Sequence, residues 1–389
     1  MVGGYLKSNR ILLYLAGLVV FLSLLAFFIF FRSSTGFFVG SSGDNVSVKI
    51  GVLAPLTGPL SAQGQWMKEG LELAKQELEQ KNIFVELIYE DDKCNPLEAV
   101  NGAKKLLDLD KVDAIIGPYC SGPTLAVAPL VEKQKTVLIT PTASSPNIRV
   151  AGDFVFRNIV TTEQYANDLA SFAALRLGLK SAAIVSVNDE YGVTFAKYFK
   201  DNFEKYGGVI VENQTFVRGD IDFRAQLSKV RSSSPQAIFF AGGSAKENGW
   251  LLKQSKELGI KAIFLTEWTS ENPELFETAT SAAQGVYLVS PFNPNSKNWL
   301  VEEFQKTYFG KYGRLAEGTA AHSFDALLIL SNALVKCDKN SDCTKSGIYG
   351  TQNYSGVTGL TSFDKDGEVL KSTILKVSNE NQFVPVDED

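Results

Sequence analysis

The sequence predicts an α/β protein of two lobes, each a parallel sheet with helices on both faces. Short apolar runs of strand length alternate with amphipathic segments of helix length along most of the 389 residues, a pattern typical of parallel sheets with crossover helices. This series occurs twice in succession. Small and polar residues follow six of the predicted strands, where open α/β sheets bind ligands. We therefore expect two lobes that face each other across a cleft.

The first series contains a turn that suits a small anion. Its strands are predicted at residues 48–54, 83–89, 113–116 and 137–140, and its helices begin near Ser61, Pro96 and Ser121. Gly117 and Pro118 form a sharp turn, after which Ser121 is predicted to cap a helix with Pro123 in its first turn. The free N–H groups and the dipole at such a helix start favour a carboxylate. An ordinary strand-to-helix turn is the alternative.

The second series repeats the pattern of the first. Its strands are predicted at residues 182–187, 209–216, 237–241, 262–265 and 285–289, its helices at 162–177, 298–312 and 319–335 among others, and a hairpin around 364–367. Across both series, polar clusters follow Ala54, Ile116, Thr140, Val187, Ala241 and Leu265. Because parallel strands end at the same edge of a sheet, these clusters are expected to meet at the cleft.

Composition argues against several classes of function. The formal net charge is −5 and there is no basic run, so we expect no nucleic-acid partner. The single histidine, His322, excludes metal sites built from several histidines, and no Gly-x-Ser-x-Gly elbow accompanies it for a catalytic triad. A phosphate-binding loop is also missing from the sequence. We expect a protein that is not an enzyme and that carries no metal or cofactor.

The N-terminal region predicts a membrane anchor. Residues 11–31 form an uncharged apolar stretch long enough to span a bilayer, preceded by Lys7 and Arg10. The distribution of positive charge places residues 1–10 in the cytoplasm and the main body on the extracytoplasmic side of the cell membrane. Residues 32–46 are then a tether. A cleaved signal peptide is the alternative, but no small-x-small site stands at the expected place.

Four cysteines fit an exported protein. Cys94 pairs naturally with Cys120, and Cys337 with Cys343, although sequence alone permits three connectivities. The alternative is four reduced thiols in a cytosolic protein. The apolar N-terminal segment argues against a cytosolic location.

Five motifs in order carry a resemblance to a known family. They are Ile-Gly-Val-Leu-Ala-Pro-Leu-Thr-Gly-Pro at 50–59, Tyr-Glu-Asp-Asp-Lys-Cys-Asn-Pro at 89–96, Ile-Gly-Pro-Tyr-Cys-Ser at 116–121, Ile-Thr-Pro-Thr-Ala at 139–143 and Asp-Glu-Tyr-Gly at 189–192. With these, residues 46–377 resemble the leucine/isoleucine/valine-binding proteins, type I periplasmic binding proteins that serve ABC importers. The resemblance implies a Venus-flytrap fold, with lobe 1 at 47–162 and 286–358 and lobe 2 at 163–285 and 359–389.

The resemblance also implies a set of ligand-binding residues. Ser121 would bind the ligand carboxylate, Glu267 would pair with its ammonium group, and Tyr191 would contribute an aromatic ring from lobe 2. Further positions that match the family's site, or that would line the side-chain pocket, are Trp66, Tyr119, Thr142, Ala143, Ser144 and Ser244. Two positions depart from the family pattern: Ser244 replaces a tyrosine, and Gln63 stands where the family has an aromatic residue.

The expected function is that of a membrane-anchored receptor. It would bind a branched-chain or other aliphatic amino acid and deliver it to an ABC permease. One alternative is a ligand-sensing ectodomain that acts through a partner protein. Another is the same fold binding an amide, urea or an aromatic acid, against which Glu267 argues because such ligands lack a cation.

Overall fold

The computed structural model describes residues 46–387, which form two large sheets with helices packed against them. Within this range no helix is long and apolar enough to cross a membrane. The predicted cytoplasmic segment at 1–10, the membrane segment at 11–31 and all but the last residue of the tether at 32–46 lie outside the described residues.

The first sheet has five parallel strands in the order β2-β1-β3-β4-β5. Its strands and helices are β1 (Val46–Ala54), α1 (Ser61–Glu79), β2 (Ile83–Asp91), α2 (Pro96–Lys104), β3 (Ala114–Ile116), α3 (Ser121–Gln134), β4 (Leu138–Thr140) and β5 (Val155–Arg157). Alternate β1 residues face opposite sides, as in any strand. Val52 packs with α1, whereas Leu53 packs with α2 and α3. Helices thus cover both faces, as predicted, and β5 is a strand that the sequence analysis did not predict.

The second sheet has seven strands in the order β14-β13-β10-β9-β8-β6-β7. Its elements are α4 (Thr162–Ser171), β6 (Ser181–Val187), α5 (Glu190–Lys205), β7 (Val209–Phe216), α6 (Arg224–Ser233), β8 (Ala237–Ala241), α7 (Ala245–Glu257), β9 (Ile263–Glu267), α8 (Pro273–Ala279), β10 (Tyr287–Ser290), β13 (Ile374–Asn379) and β14 (Gln382–Pro385). The strands from β6 to β10 are parallel, but β13 and β14 add an antiparallel edge. The prediction of a purely parallel sheet is therefore wrong at this edge.

The remaining elements return the chain to the first sheet. They are α9 (Trp299–Tyr312), α10 (Gly318–Lys336), α11 (Ser341–Tyr349) and the short hairpin β11 (Tyr354–Gly356) and β12 (Gly359–Thr361). Helix α10 crosses α1 so closely that a Cβ on Gly70 would lie 2.1 Å from the Ala320 carbonyl oxygen. Only glycine permits this approach. At the predicted hairpin around 364–367, a single bridge joins Phe363 and Val369.

The chain passes between the two sheets three times, and two predicted lobe boundaries need correction. Residues 286–290 were assigned to lobe 1, but β10 pairs with β9 and β13 in the second sheet. Residues 359–361 are predicted in lobe 2, but β12 pairs with β11, and the turn between them donates hydrogen bonds to Asp325 of α10 in lobe 1. The crossings follow β5, β10 and β12. We use lobe 1 and lobe 2 for the parts that carry the first and second sheets.

Candidate functional site

The carboxyl ends of both sheets meet around one cavity of about 260 Å³. Its walls come from the eight loops that follow β1, β2, β3 and β4 in lobe 1 and β6, β7, β8 and β9 in lobe 2. The lining residues are Leu60, Cys94, Pro96, Tyr119, Cys120, Ser121, Gly122, Pro123, Thr142, Asp189, Glu190, Tyr191, Arg218, Gly242, Gly243, Trp268 and Thr269. This arrangement follows from parallel strands that end at the same edge.

The loop after β3 is shaped by Gly117. This residue has a φ of +96°, and a Cβ there would lie 2.1 Å from the Leu53 carbonyl oxygen. Glycine is therefore required at the turn. Helix α3 begins at Ser121 with Cys120 as its N-cap, which makes no side-chain capping hydrogen bond. The prediction that Ser121 itself caps the helix is wrong by one residue.

Both predicted disulfides are present in the structure. Cys94 and Cys120 have a Cα–Cα distance of 5.6 Å, and Cys337 and Cys343 one of 5.5 Å. The first disulfide joins the loops after β2 and β3, and both of its cysteines line the cavity. It therefore holds two of the cavity walls together.

Lobe 1 presents hydrogen-bond donors to the cavity. The buried Ser121 Oγ accepts a hydrogen bond from the Ser145 N–H at 3.2 Å, which leaves its own hydroxyl proton to donate. The first N–H groups of α3 have no partner within the helix. Thr142 also lines the cavity, but its hydroxyl donates to the Tyr119 carbonyl at 2.9 Å. Ser121 and the start of α3 therefore form a site that suits a carboxylate.

Lobe 2 presents a buried carboxyl group behind the cavity wall. Glu267 is fully buried and accepts hydrogen bonds from the Tyr191 hydroxyl at 3.0 Å and the Thr269 N–H at 2.9 Å. The Thr269 hydroxyl donates to the same side chain. Burial raises the pKa of Glu267 to about 7, although these hydrogen bonds act in the opposite direction. Tyr191 and Thr269 line the cavity and separate Glu267 from it.

Arg218 is a lining residue that the sequence analysis missed. Its Nε donates to Asp189 Oδ2 at 3.0 Å, its Nη2 donates to the Gly242 carbonyl at 3.0 Å, and its Nη1 lies 3.7 Å from Glu247 Oε2. Arg218 follows the carboxyl end of β7 by two residues. Its position after a strand end is the same signal that identified the other loops, but β7 is a less apolar edge strand and therefore less evident in the sequence.

Five of the predicted ligand-binding residues do not line the cavity. Ala143 N donates to Thr140 Oγ1 at 3.0 Å, and Ser144 is bound to Thr162. Ser244 caps α7 and exchanges hydrogen bonds with Glu247, while Glu267 lies behind the wall. Trp66 instead lines a smaller compartment of about 10 Å³, which we call the polar compartment.

His322 does not belong to the cavity. It is buried in α10, where its Nδ1 lies 2.8 Å from the Gly318 carbonyl oxygen, and burial lowers its pKa to about 3. Within residues 46–387, no group of three or more side chains of the metal-binding types lies close enough to hold an ion.

Comparison with known families identifies the class of protein. A family model described as periplasmic binding protein matches residues 47–375. The chain therefore belongs to the periplasmic binding protein family, which confirms the resemblance found in the sequence motifs.

Individual relatives agree with this family. A Pseudomonas aeruginosa leucine-, isoleucine-, valine-, threonine- and alanine-binding protein is 26% identical over 331 residues, 83% of this chain and 87% of the relative. A leucine-binding protein from Thermotoga maritima is 29% identical, with a TM-score of 0.83 over 87% of this chain and 98% of that one. A branched-chain amino-acid binding protein from Streptococcus pneumoniae, solved with isoleucine, is 27% identical, with a TM-score of 0.81 over 87% and 97%.

Proposed function

We propose that this chain is the solute-binding protein of an ABC transporter. It binds an α-amino acid of the branched-chain or other aliphatic type between its lobes and delivers it to the permease. The observation that carries this proposal is the chemical complementarity of the two cavity walls. Ser121 and the start of α3 donate hydrogen bonds from lobe 1, whereas Glu267 and Tyr191 provide acceptors from lobe 2.

These two walls match the two ends of a zwitterion. The ligand carboxylate would accept from the Ser121 hydroxyl and the α3 N–H groups. The ammonium group would approach Glu267 beside Tyr191, with its proton donors replacing those of Tyr191 and Thr269. Closure of the lobes removes water, which strengthens both interactions. Because each lobe supplies one half of the site, ligand binding favours the closed form of the hinge.

The relatives support the same ligand class. Those reported above are described as proteins that bind leucine, isoleucine and other amino acids. They match this chain over both lobes, so the proposal concerns the whole body rather than one fragment.

Calorimetric titration of the full chain in detergent tests the proposal. Bound ligand is first removed by unfolding and refolding, and a panel of amino acids, amides and aromatic acids is then titrated. We expect micromolar or tighter binding of an aliphatic amino acid, weakened about 100-fold by Glu267→Gln because the ammonium group loses its charged partner. Glu302→Gln, which changes an exposed carboxylate on α9, is the matched control and should bind normally.

Other outcomes of this titration separate the alternatives. If an uncharged amide, urea or an aromatic acid binds and Glu267→Gln does not weaken it, the fold stands but the amino-acid assignment is wrong. If no compound of the panel binds, the ligand-sensing ectodomain that acts through a partner protein becomes the better explanation.

We further propose that residues 11–31 anchor the protein in the cell membrane. The support is their uncharged length and the positive charges of Lys7 and Arg10 on one side. Residues 1–10 would then be cytoplasmic, and the described body would be held on the extracytoplasmic side by the tether at 32–46, close to the permease.

A further inference from the structure

The polar compartment lies directly beside the main cavity. The two share Tyr119, Trp268 and Thr269 as lining residues. Gln63 and Glu317 line the compartment from lobe 1. Its volume of about 10 Å³ is near the minimum that holds one water molecule, or one hydroxyl or amide group of similar size.

Several buried polar atoms around this compartment have no hydrogen-bond partner. Gln63 is only 2% exposed, yet neither its amide nitrogen nor its amide oxygen is paired within residues 46–387. The same holds in this range for the Trp268 indole N–H, whereas the Tyr119 hydroxyl lies beside the Thr319 side chain, which can hydrogen-bond to it. A buried polar atom without a partner is unfavourable, and native structures contain few. Three such atoms at one compartment indicate that a polar group binds there.

The two carboxyl groups that line the compartment limit the kind of polar group that can bind there. Glu271 is satisfied, because it pairs with Lys376 and accepts from the Ser290 hydroxyl at 2.6 Å. Glu317 forms no ion pair within the described part of the chain. Burial, and then repulsion from Glu271, raises the pKa of Glu317 to about 8. At neutral pH its protonated form can both donate and accept a hydrogen bond.

The unpaired atoms thus include both donors and acceptors. Gln63 offers one of each kind and the Trp268 N–H only donates, while the half-buried Glu317 carboxyl beside them can do either. A hydroxyl or a primary amide, which also does both, satisfies this set. A hydrocarbon branch can pair with none of these atoms and leaves them to a trapped water molecule.

We propose that the polar compartment receives a hydroxyl or amide group at the end of the ligand side chain. Within the amino-acid class of the proposed function, small amino acids that carry such a group are then bound more tightly than the branched-chain hydrocarbons of the same shape, which still bind. This inference rests on the proposed function, since it requires an amino acid in the cleft. When a hydrocarbon amino acid binds, a water molecule takes the same place.

Two pairs of ligands with nearly the same shape test the inference. Threonine is compared with valine, and asparagine with leucine, by calorimetric titration of the full chain. We expect the polar member of at least one pair to bind roughly tenfold more tightly, because its polar group pairs directly with the buried atoms, whereas a hydrocarbon ligand requires a water molecule to be immobilised there. In Gln63→Leu, and separately in Glu317→Leu, this ratio should fall toward one. Gln65→Leu, an exposed glutamine two residues along α1, is the matched control and should keep it.

The outcomes separate the two proposals. If valine and leucine bind at least as tightly as threonine and asparagine to the wild type, the compartment does not receive a ligand group, although the amino-acid assignment stands. A preference that survives both Gln63→Leu and Glu317→Leu overturns the inference in the same way. If no amino acid binds, both proposals fail. Thermal unfolding shows whether each variant folds. If one does not, the threonine-to-valine and asparagine-to-leucine affinity ratios of the wild type still test the inference.

Discussion

Glu267 couples the stability of the body to pH. Its ordinary pKa is 4.5, and burial raises the pKa in the folded protein to about 7. Between these values the folded protein holds a proton that the unfolded chain releases. The folded state therefore binds more protons in this window, and the contribution of Glu267 to stability decreases as the pH rises.

This sign gives a prediction for Glu267→Gln in the absence of ligand. Relative to the wild type, the variant should gain about 2 to 3 kcal/mol of unfolding free energy between pH 5 and pH 8. Chemical denaturation at the two pH values measures the difference. Glu302→Gln, on an exposed helix face, should show no such gain. If Glu267→Gln shows no gain either, Glu267 is ionised in the folded protein throughout this range and the prediction is wrong.

Individual residues of the site were predictable where their chemistry is local. Motifs and strand ends predict the cysteine pairs, Ser121 and Tyr191. The structure contains both disulfides and places the side chains of Ser121 and Tyr191 at the cavity. Their contacts with ligand stay predictions. Ser144 and Ser244 could not be separated from them by sequence, because whether a hydroxyl faces the cleft or bonds to its own lobe depends on long-range packing.

At the scale of single elements, the start of α5 contacts lobe 1 across the cleft. Glu190 Oε1, in the first turn of this helix, accepts from the Ser145 hydroxyl and the Asn147 side-chain amide, each at 2.8 Å. Asp189 caps the helix through the Gly192 N–H at 2.9 Å, which fixes its direction. These contacts exist only while the lobes are together, so they favour the closed form.

Glu190→Ala should therefore weaken ligand binding by shifting the hinge toward the open form. We expect a roughly tenfold loss of amino-acid affinity, since two hydrogen bonds to a charged group are removed. At subsaturating ligand, small-angle scattering should give a larger radius of gyration for Glu190→Ala than for the wild type. Glu204→Ala, an exposed position on the same helix, should change neither quantity. Weaker binding without any change in scattering would show that Glu190 acts on the ligand rather than on closure.

The elements themselves were largely predictable because long apolar runs and helical periodicity are local signals. The strands β1, β6 and β8 lie close to their predicted positions. The pairing of β10 with β13 was not predictable, because about 80 residues separate the two strands and their pairing depends on tertiary packing. The three-residue strand β5 is too short to show a period.

At the scale of the whole molecule, the proposed anchor predicts how the protein fractionates. The full chain should remain with membranes after washing at high salt and alkaline pH, because an apolar helix of this length inserts stably. A variant that lacks residues 1–45 should appear in the supernatant with its body folded. N-terminal sequencing of the mature protein is the decisive measurement. A mature chain that begins after residue 31 would show that the segment is a cleaved signal peptide.

The three crossings between the lobes also govern how the chain folds. Lobe 1 needs α10 against α1, and lobe 2 needs β13 beside β10, so each core combines residues from distant parts of the sequence. During synthesis α1 and the first sheet therefore wait, on the order of tens of seconds, for α10. The part of their apolar surface that α10 covers stays exposed for that time. Neither lobe can therefore complete its core from one continuous stretch of the chain.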